Sequence, residues 1–224
     1  MTTQEKNGIT EGVIWKQLLI FFFPILVGSF FQQLYNTVDS VIVGQFVGKE
    51  ALSSVGGSAG QIISLVVGFF TGVSTGATVI ISQYFGAGKK EEIEESLHTA
   101  YAFALVGGLV LGIAGIVFAP QMLRWMNTPE ELIAESVLYV RVYFSGLIFI
   151  FIYNMGAAIL RAVGDSKRPL YYLIVCSVVN IILDLLLILV IPLGVLGAAI
   201  ATLIAQAVSA VLVTRSEERR VGKE

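Results

Sequence analysis

A chain of 224 residues that is 56% hydrophobic and only 13% charged, with a mean hydropathy of +0.84, cannot cover itself in polar surface. Soluble domains average about 25% charged residues, so this composition belongs in a bilayer. The net charge of −2 has no basic face behind it, which excludes a nucleic-acid binder. A single cysteine, Cys176, excludes an intramolecular disulfide, and a single histidine, His98, leaves no inventory for a zinc, haem or thiol cofactor.

Residues 1–12 are polar and read as a cytoplasmic N-terminus, and the stretch 1–17 carries as many acids as bases. The apolar run that follows is too long for a signal-peptide core and has no small-residue cleavage site, so it is expected to stay as the first transmembrane helix. Six spans are expected within a lobe covering 13–214, each with the ~20 residues a crossing helix needs. The first runs from residue 13 past residue 36 and contains Pro24, which removes a backbone donor and predicts a kink. The second, 51–84, is rich in glycine and serine, the composition of a helix packed closely on its neighbours. The third covers 97–118 and is expected to stop at Pro120; the fourth covers 133–160, the fifth 170–191 and the sixth 195–213. Short loops join them: KKEEIEE at 89–95, RAVGDSKRP at 161–169, and Pro192-Leu193-Gly194 between the last two spans. Lys6, Lys16, Lys89, Lys90, Arg161, Lys167, Arg168 and Arg215 fall on one side, against Lys49, Arg124 and Arg141 on the other. The positive-inside rule then puts both termini in the cytoplasm. Residues 215–224 shift abruptly to charge and read either as a cytoplasmic linker or as a non-native end after truncation.

Two acids, Asp39 and Asp184, lie inside these apolar segments. An acid at the bilayer centre costs at least ~2.5 kcal/mol on insertion scales and is a functional hypothesis by default. Asn180 and Asp184 are four residues apart and share a helix face. Asp184 precedes the Pro192 turn by ~11 Å of helix and Thr202 follows Gly194 by ~12 Å, which predicts matching depth on adjacent antiparallel helices. Tyr139 enters from the outer end of the fourth span. Carboxylate, amide and hydroxyl oxygens suit a small hard cation. The same set could share protons, because two neighbouring acids in low dielectric cannot both stay ionised cheaply. Plainer uses stay open: Asn180 and Thr202 as interhelical glue, Asp184 in a salt bridge, and Asp39 in an outer loop should the first helix end at Asn36. Glu130, Glu131 and Glu135 read as a solvated helix start, and Arg161, Asp165, Lys167 and Arg168 as anchors of a tight loop.

Several stretches together resemble the multidrug and toxic compound extrusion (MATE) family on its prokaryotic side. They are Pro24, QQLYNTVDSVIVGQFVG at 32–48, SQYFGAGKK at 82–90, LRAVGDSKRP at 160–169 and VVNIILDLLLI at 178–188. The resemblance implies an all-α fold, a six-helix bundle forming one lobe of a twelve-helix, two-lobe antiporter. It implies export of drugs or toxic amphipathic cations, driven by Na⁺ or H⁺, with no enzyme activity. The family's cation site matches Asp39, Asn180, Asp184 and Thr202 here, with Tyr139 as a hydrogen-bonding neighbour and Pro24 as the point where the first helix bends. The partners implied are a small-molecule substrate, the lipid bilayer of the inner (plasma) membrane and a missing C-terminal lobe. A flippase for lipid-linked oligosaccharides from the same superfamily would want a cationic cavity for a pyrophosphate. A non-transporting membrane scaffold would be favoured by finding Asp39 and Asp184 on opposite faces.

Overall fold

The computed structural model describes residues 13–221; the segment 1–12 expected as a cytoplasmic N-terminus lies outside the described residues. The described chain is helical almost throughout. Helix α1 (Ile14–Ile42) widens into a π-helical segment, Val43–Val47. Helices α2 (Lys49–Gly56) and α3 (Ser58–Gly86) make the second span, and α4 (Lys90–Trp125) the third. Helices α5 (Glu130–Ser145) and α6 (Leu147–Ala162) form the fourth, bent by 49° at Gly146. Helix α7 (Lys167–Asp184) runs into a second π segment, Leu185–Val190, and α8 (Val195–Val221) closes the bundle. Five of these spans are long and apolar enough to cross a membrane by themselves, and the bent pair makes a sixth. This is the all-α, six-span bundle expected from the sequence.

The differences from expectation have local causes. The third helix does not stop at Pro120 but continues to Trp125. A proline at 120 leaves the carbonyl of Ile116 without its i+4 donor, and Arg141 of α5 donates its Nε–H to that oxygen at 3.2 Å. The helix survives because a neighbour supplies the missing bond, as a membrane interior requires. The second span breaks at Gly57, where a Cβ would lie 2.5 Å from the Ser53 carbonyl. Helix α1 passes Pro24 unbroken and reaches Ile42, so Asp39 is a helix residue and not part of an outer loop. Helix α8 continues through Arg215 into the charged stretch, and Arg168 donates to the Ser216 hydroxyl at 3.3 Å.

Close packing is set by small residues. Gly108, Gly112 and Gly115 form one face of α4. A Cβ at Gly108 would meet the Ile148 backbone at 2.7 Å, one at Gly112 the Phe144 carbonyl at 2.9 Å, and one at Gly115 would overlap the Phe144 ring. The bent α5–α6 pair therefore rests directly on the α4 backbone, the geometry that small residues permit in membrane bundles. Phe70 of α3 stacks on Phe151 of α6 (centroids 3.5 Å, 11°) and on Phe103 of α4 (5.7 Å, 22°), tying three helices together. The outer surface is apolar, with Leu65, Phe69, Val117 and Val190 all well exposed. Helix α7 packs between α1 and α8, which brings the polar residues of three spans inward.

Candidate functional site

Asp184 is the last α-helical residue of α7, where hydrogen bonding widens to the π pattern, and it is fully buried. Asp39 lies one turn before the π segment that ends α1 and is half-buried. The two π segments touch each other. Single π turns inside helices recur at functional sites because they re-aim side chains. Here they follow both acids. Asp39 and Asp184 are close enough to interact electrostatically, and Tyr139 of α5, also buried, interacts with both.

Asn180, one turn below Asp184, is buried, and its Nδ2–H donates to the Thr202 hydroxyl of α8 at 3.4 Å. The hydrogen bond joins Thr202 of α8 to Asn180, which lies one turn from Asp184 on the same face of α7. Asp39, Asn180, Asp184, Thr202 and Tyr139 thus converge on one place in the interior. Pro24 does not join them, being buried 15 residues earlier on α1, roughly 22 Å along the axis.

The electrostatics of this cluster are unusual. Both carboxylate oxygens of Asp184, Oδ1 of Asp39 and Oδ1 of Asn180 are buried and receive no hydrogen bond. Leaving a buried acceptor unpaired costs about 1–3 kcal/mol, and more when it is charged. Among the described residues the ion pairs are Lys89–Glu92 at 3.0 Å and Arg168–Asp165 at 3.1 Å, both far from the acids in sequence. The salt-bridge reading of Asp184 therefore finds no base to support it. Four oxygens converging without donors can accept a proton or ligate a small hard cation.

Two tyrosines escaped the sequence reading. Tyr35 and Tyr143 both interact electrostatically with Asp39, and Tyr143 sits 6.1 Å from Tyr139, ring to ring. The signal was present in the spacing: Tyr35 is four residues before Asp39 and Tyr143 four after Tyr139, so each shares a helix face with a residue already singled out. Other motif residues have structural work. Asp165 accepts the backbone N–H groups of Lys167 and Arg168 at 3.2 and 3.1 Å, capping the start of α7. Gly164, at φ +87°, makes the turn before it. Glu135 is more than a solvated helix start, since the buried Ser54 hydroxyl donates to it at 3.4 Å. His98 is exposed, its Nδ1 2.8 Å from the Glu94 carbonyl.

Comparison with known proteins agrees with the fold. The MatE family model matches residues 24–186, a stretch that contains Asp39, Tyr139, Asn180 and Asp184. The chain is 34% identical over 208 residues to the probable multidrug resistance protein YoeA of Bacillus subtilis (strain 168), covering 91% of this chain and 44% of that protein. It is 34% identical over 203 residues to the probable multidrug resistance protein YpnP of the same organism, covering 89% and 45%. The solved outward-facing conformation of a multidrug resistance MATE family transporter of the MOP superfamily superposes with a TM-score of 0.88 at 27% identity, covering 96% of this chain and 47% of that one. The chain thus spans a little under half the length of the relatives it matches. Members of this family are membrane transporters and not enzymes. Matched by the family model over most of its length, this six-span chain belongs to the MatE family.

Proposed function

We propose that this chain is the N-terminal half of a cation-coupled antiporter that exports drugs or other toxic amphipathic compounds across the plasma membrane, with both termini in the cytoplasm. One observation carries the coupling role: a fully buried Asp184 whose two carboxylate oxygens have no donor, beside a second acid, Asp39. Entry of Na⁺ or H⁺ at this pair removes net charge from an apolar interior. Only a ligand with different affinities for two conformations can shift the balance between them, and charge neutralisation supplies that difference. Asn180 and Thr202 hold the floor of the cluster, Tyr139 flanks it, and Pro24 gives α1 a weak point about which to bend. A second lobe is the partner for rocking. Helix α1 supports that partner, since it turns Gln32, Gln33, Asn36 and Ser40 outward from the bundle, a polar stripe that lipid would not solvate.

The test is drug efflux by a full-length transporter containing this chain, with and without Asp184→Asn. Efflux falls to background in the variant while the protein still reaches the membrane. Wild-type efflux in the variant sinks the assignment.

A further inference from the structure

Helices α7 and α8 lead away from the Pro192 turn side by side, and each carries polar residues along one face. On α7 these are Asp184, Asn180 and Cys176, and on α8 Thr202, Gln206 and Ser209, all spaced by three or four residues. The two stripes meet rung by rung. Asn180 donates to Thr202 at 3.4 Å, the Cys176 thiol lies beside the Ser209 hydroxyl, and Arg168 donates to the Ser216 hydroxyl at 3.3 Å. A polar seam therefore descends from Asp184 towards the loop between α6 and α7, with Cys176 ~12 Å of helix below the acid. The seam is short of hydrogen bonds. Asn180 Oδ1, Gln206 Oε1 and Ser209 Oγ are buried and have no partner, and Asn180 and Ser209 are fully enclosed. A thiol is too weak a partner to satisfy the hydroxyl beside it. Buried polar atoms left unpaired are costly, and those on this seam share one remedy: bound water, which takes about two to four polar partners.

One turn beyond Cys176 and Ser209 both stripes become apolar, at Leu173 on α7 and Val213 on α8, and both residues are buried. Val213 is held against α6, where a Cβ on Gly156 would meet both of its methyls at 2.9 Å. Leu173 is held against α1, 3.7 Å from the Cβ position of Gly28. Polar groups return at the next turn: Arg168 with Ser216, and Tyr153, whose hydroxyl donates to the Pro169 carbonyl at 3.3 Å. A single apolar layer thus separates the seam from the charged loop end, and such a constriction blocks ions by excluding water. We infer that the α7–α8 seam holds a file of bound water from Asp184 to Cys176 and Ser209, and that Leu173 and Val213 gate the exit of the coupling cation from it towards the α6–α7 loop. The water file stands on the unpaired polar atoms. The exit route rests on the proposed role of Asp39 and Asp184, and it runs inside this six-span lobe.

Cys176 is the one cysteine of the chain, so its reactivity reports on the seam alone. The probe is Ag⁺, a small cation that reacts with thiolate, added to the 224-residue chain in phosphatidylcholine nanodiscs. Reaction is read as loss of the thiol titratable after unfolding. Val213→Ser and Leu173→Ser each speed it about tenfold by wetting the apolar layer. Gln206→Leu and Ser209→Val slow it several-fold by removing polar partners of the water. Ile182→Ser, on the exposed face of α7, keeps the parental rate. Parental rates in both gate variants overturn the gate, as does an equal gain in Ile182→Ser, which would mark general loosening. Parental rates in both Gln206→Leu and Ser209→Val overturn the water file. The exit route is read in liposomes that enclose a pH or sodium dye. Val213→Ser leaks the coupling cation about tenfold faster than the parent, and adding Asp184→Asn removes the leak. A tight Val213→Ser chain, or a leak that survives Asp184→Asn, overturns the route. Thiol access is read without efflux, so its failure and failure of the proposed transport role are separate results.

Discussion

Pro120 takes one donor out of α4, and Arg141 returns one from α5. The sequence shows the proline but not the repair, since the two residues are 21 positions apart on different helices. Their coupling is measurable. Arg141→Met destabilises the fold by about 1 kcal/mol, the net worth of one such hydrogen bond. In a Pro120→Ala background the cost largely disappears, because the N–H of the new alanine reaches the Ile116 carbonyl. A double-mutant cycle on thermal unfolding in detergent reads the interaction directly, and equal costs in the two backgrounds refute it. The same scale governs the candidate site. Asp39, Asn180, Asp184 and Thr202 were legible as misplaced polar residues in apolar spans. Tyr35 and Tyr143 were not singled out, because tyrosines are ordinary in such spans; spacing sets each one turn from a residue already chosen, and the fold adds the approach of Tyr143 to Asp39.

Helices α4 and α5 meet where glycine permits, and their contact sets the bend of the fourth span. Gly115→Ala drives a methyl into the Phe144 ring and costs about 1–3 kcal/mol of stability, as overpacking does. Gly72 of α3, exposed and with nothing within 4 Å of its Cβ position, is the control: Gly72→Ala leaves the unfolding midpoint unchanged or slightly raised. Denaturation of both variants side by side checks the claim, and equal midpoints would show that the Gly115 contact is soft. The number and order of the spans could be read from hydropathy. The breaks at Gly57 and Gly146 could not, because a composition window averages over a single residue. The π segments after Asp39 and Asp184 were equally invisible.

At the scale of the whole molecule, the bundle gathers the two acids of the proposed ion site on the inside and leaves a polar stripe of α1 on the outside. The 224-residue chain reconstituted in liposomes is expected to bind its ion and to move no drug, since rocking needs a second body. Sodium-dependent thermal stabilisation at fixed pH, lost in Asp184→Asn, reports the site in the isolated chain. A stabilisation by Na⁺ at 100 times its Kd would be about 2.7 kcal/mol. Drug uptake driven by a sodium or proton gradient in the same liposomes would refute the half-machine reading. Stabilisation that follows pH and ignores sodium would assign the coupling to protons.

The sequence alone determined the solvent, the class and the count of spans, because burial in lipid is an additive property of composition and length. It also marked the acids, because a charge in hydrocarbon is costly wherever it points. Only the tertiary structure decided what those acids face. Which helix lies beside which, and whether a base stands within reach of Asp184, both depend on contacts between residues far apart in the chain. Hydropathy carries no information about those contacts, and packing does.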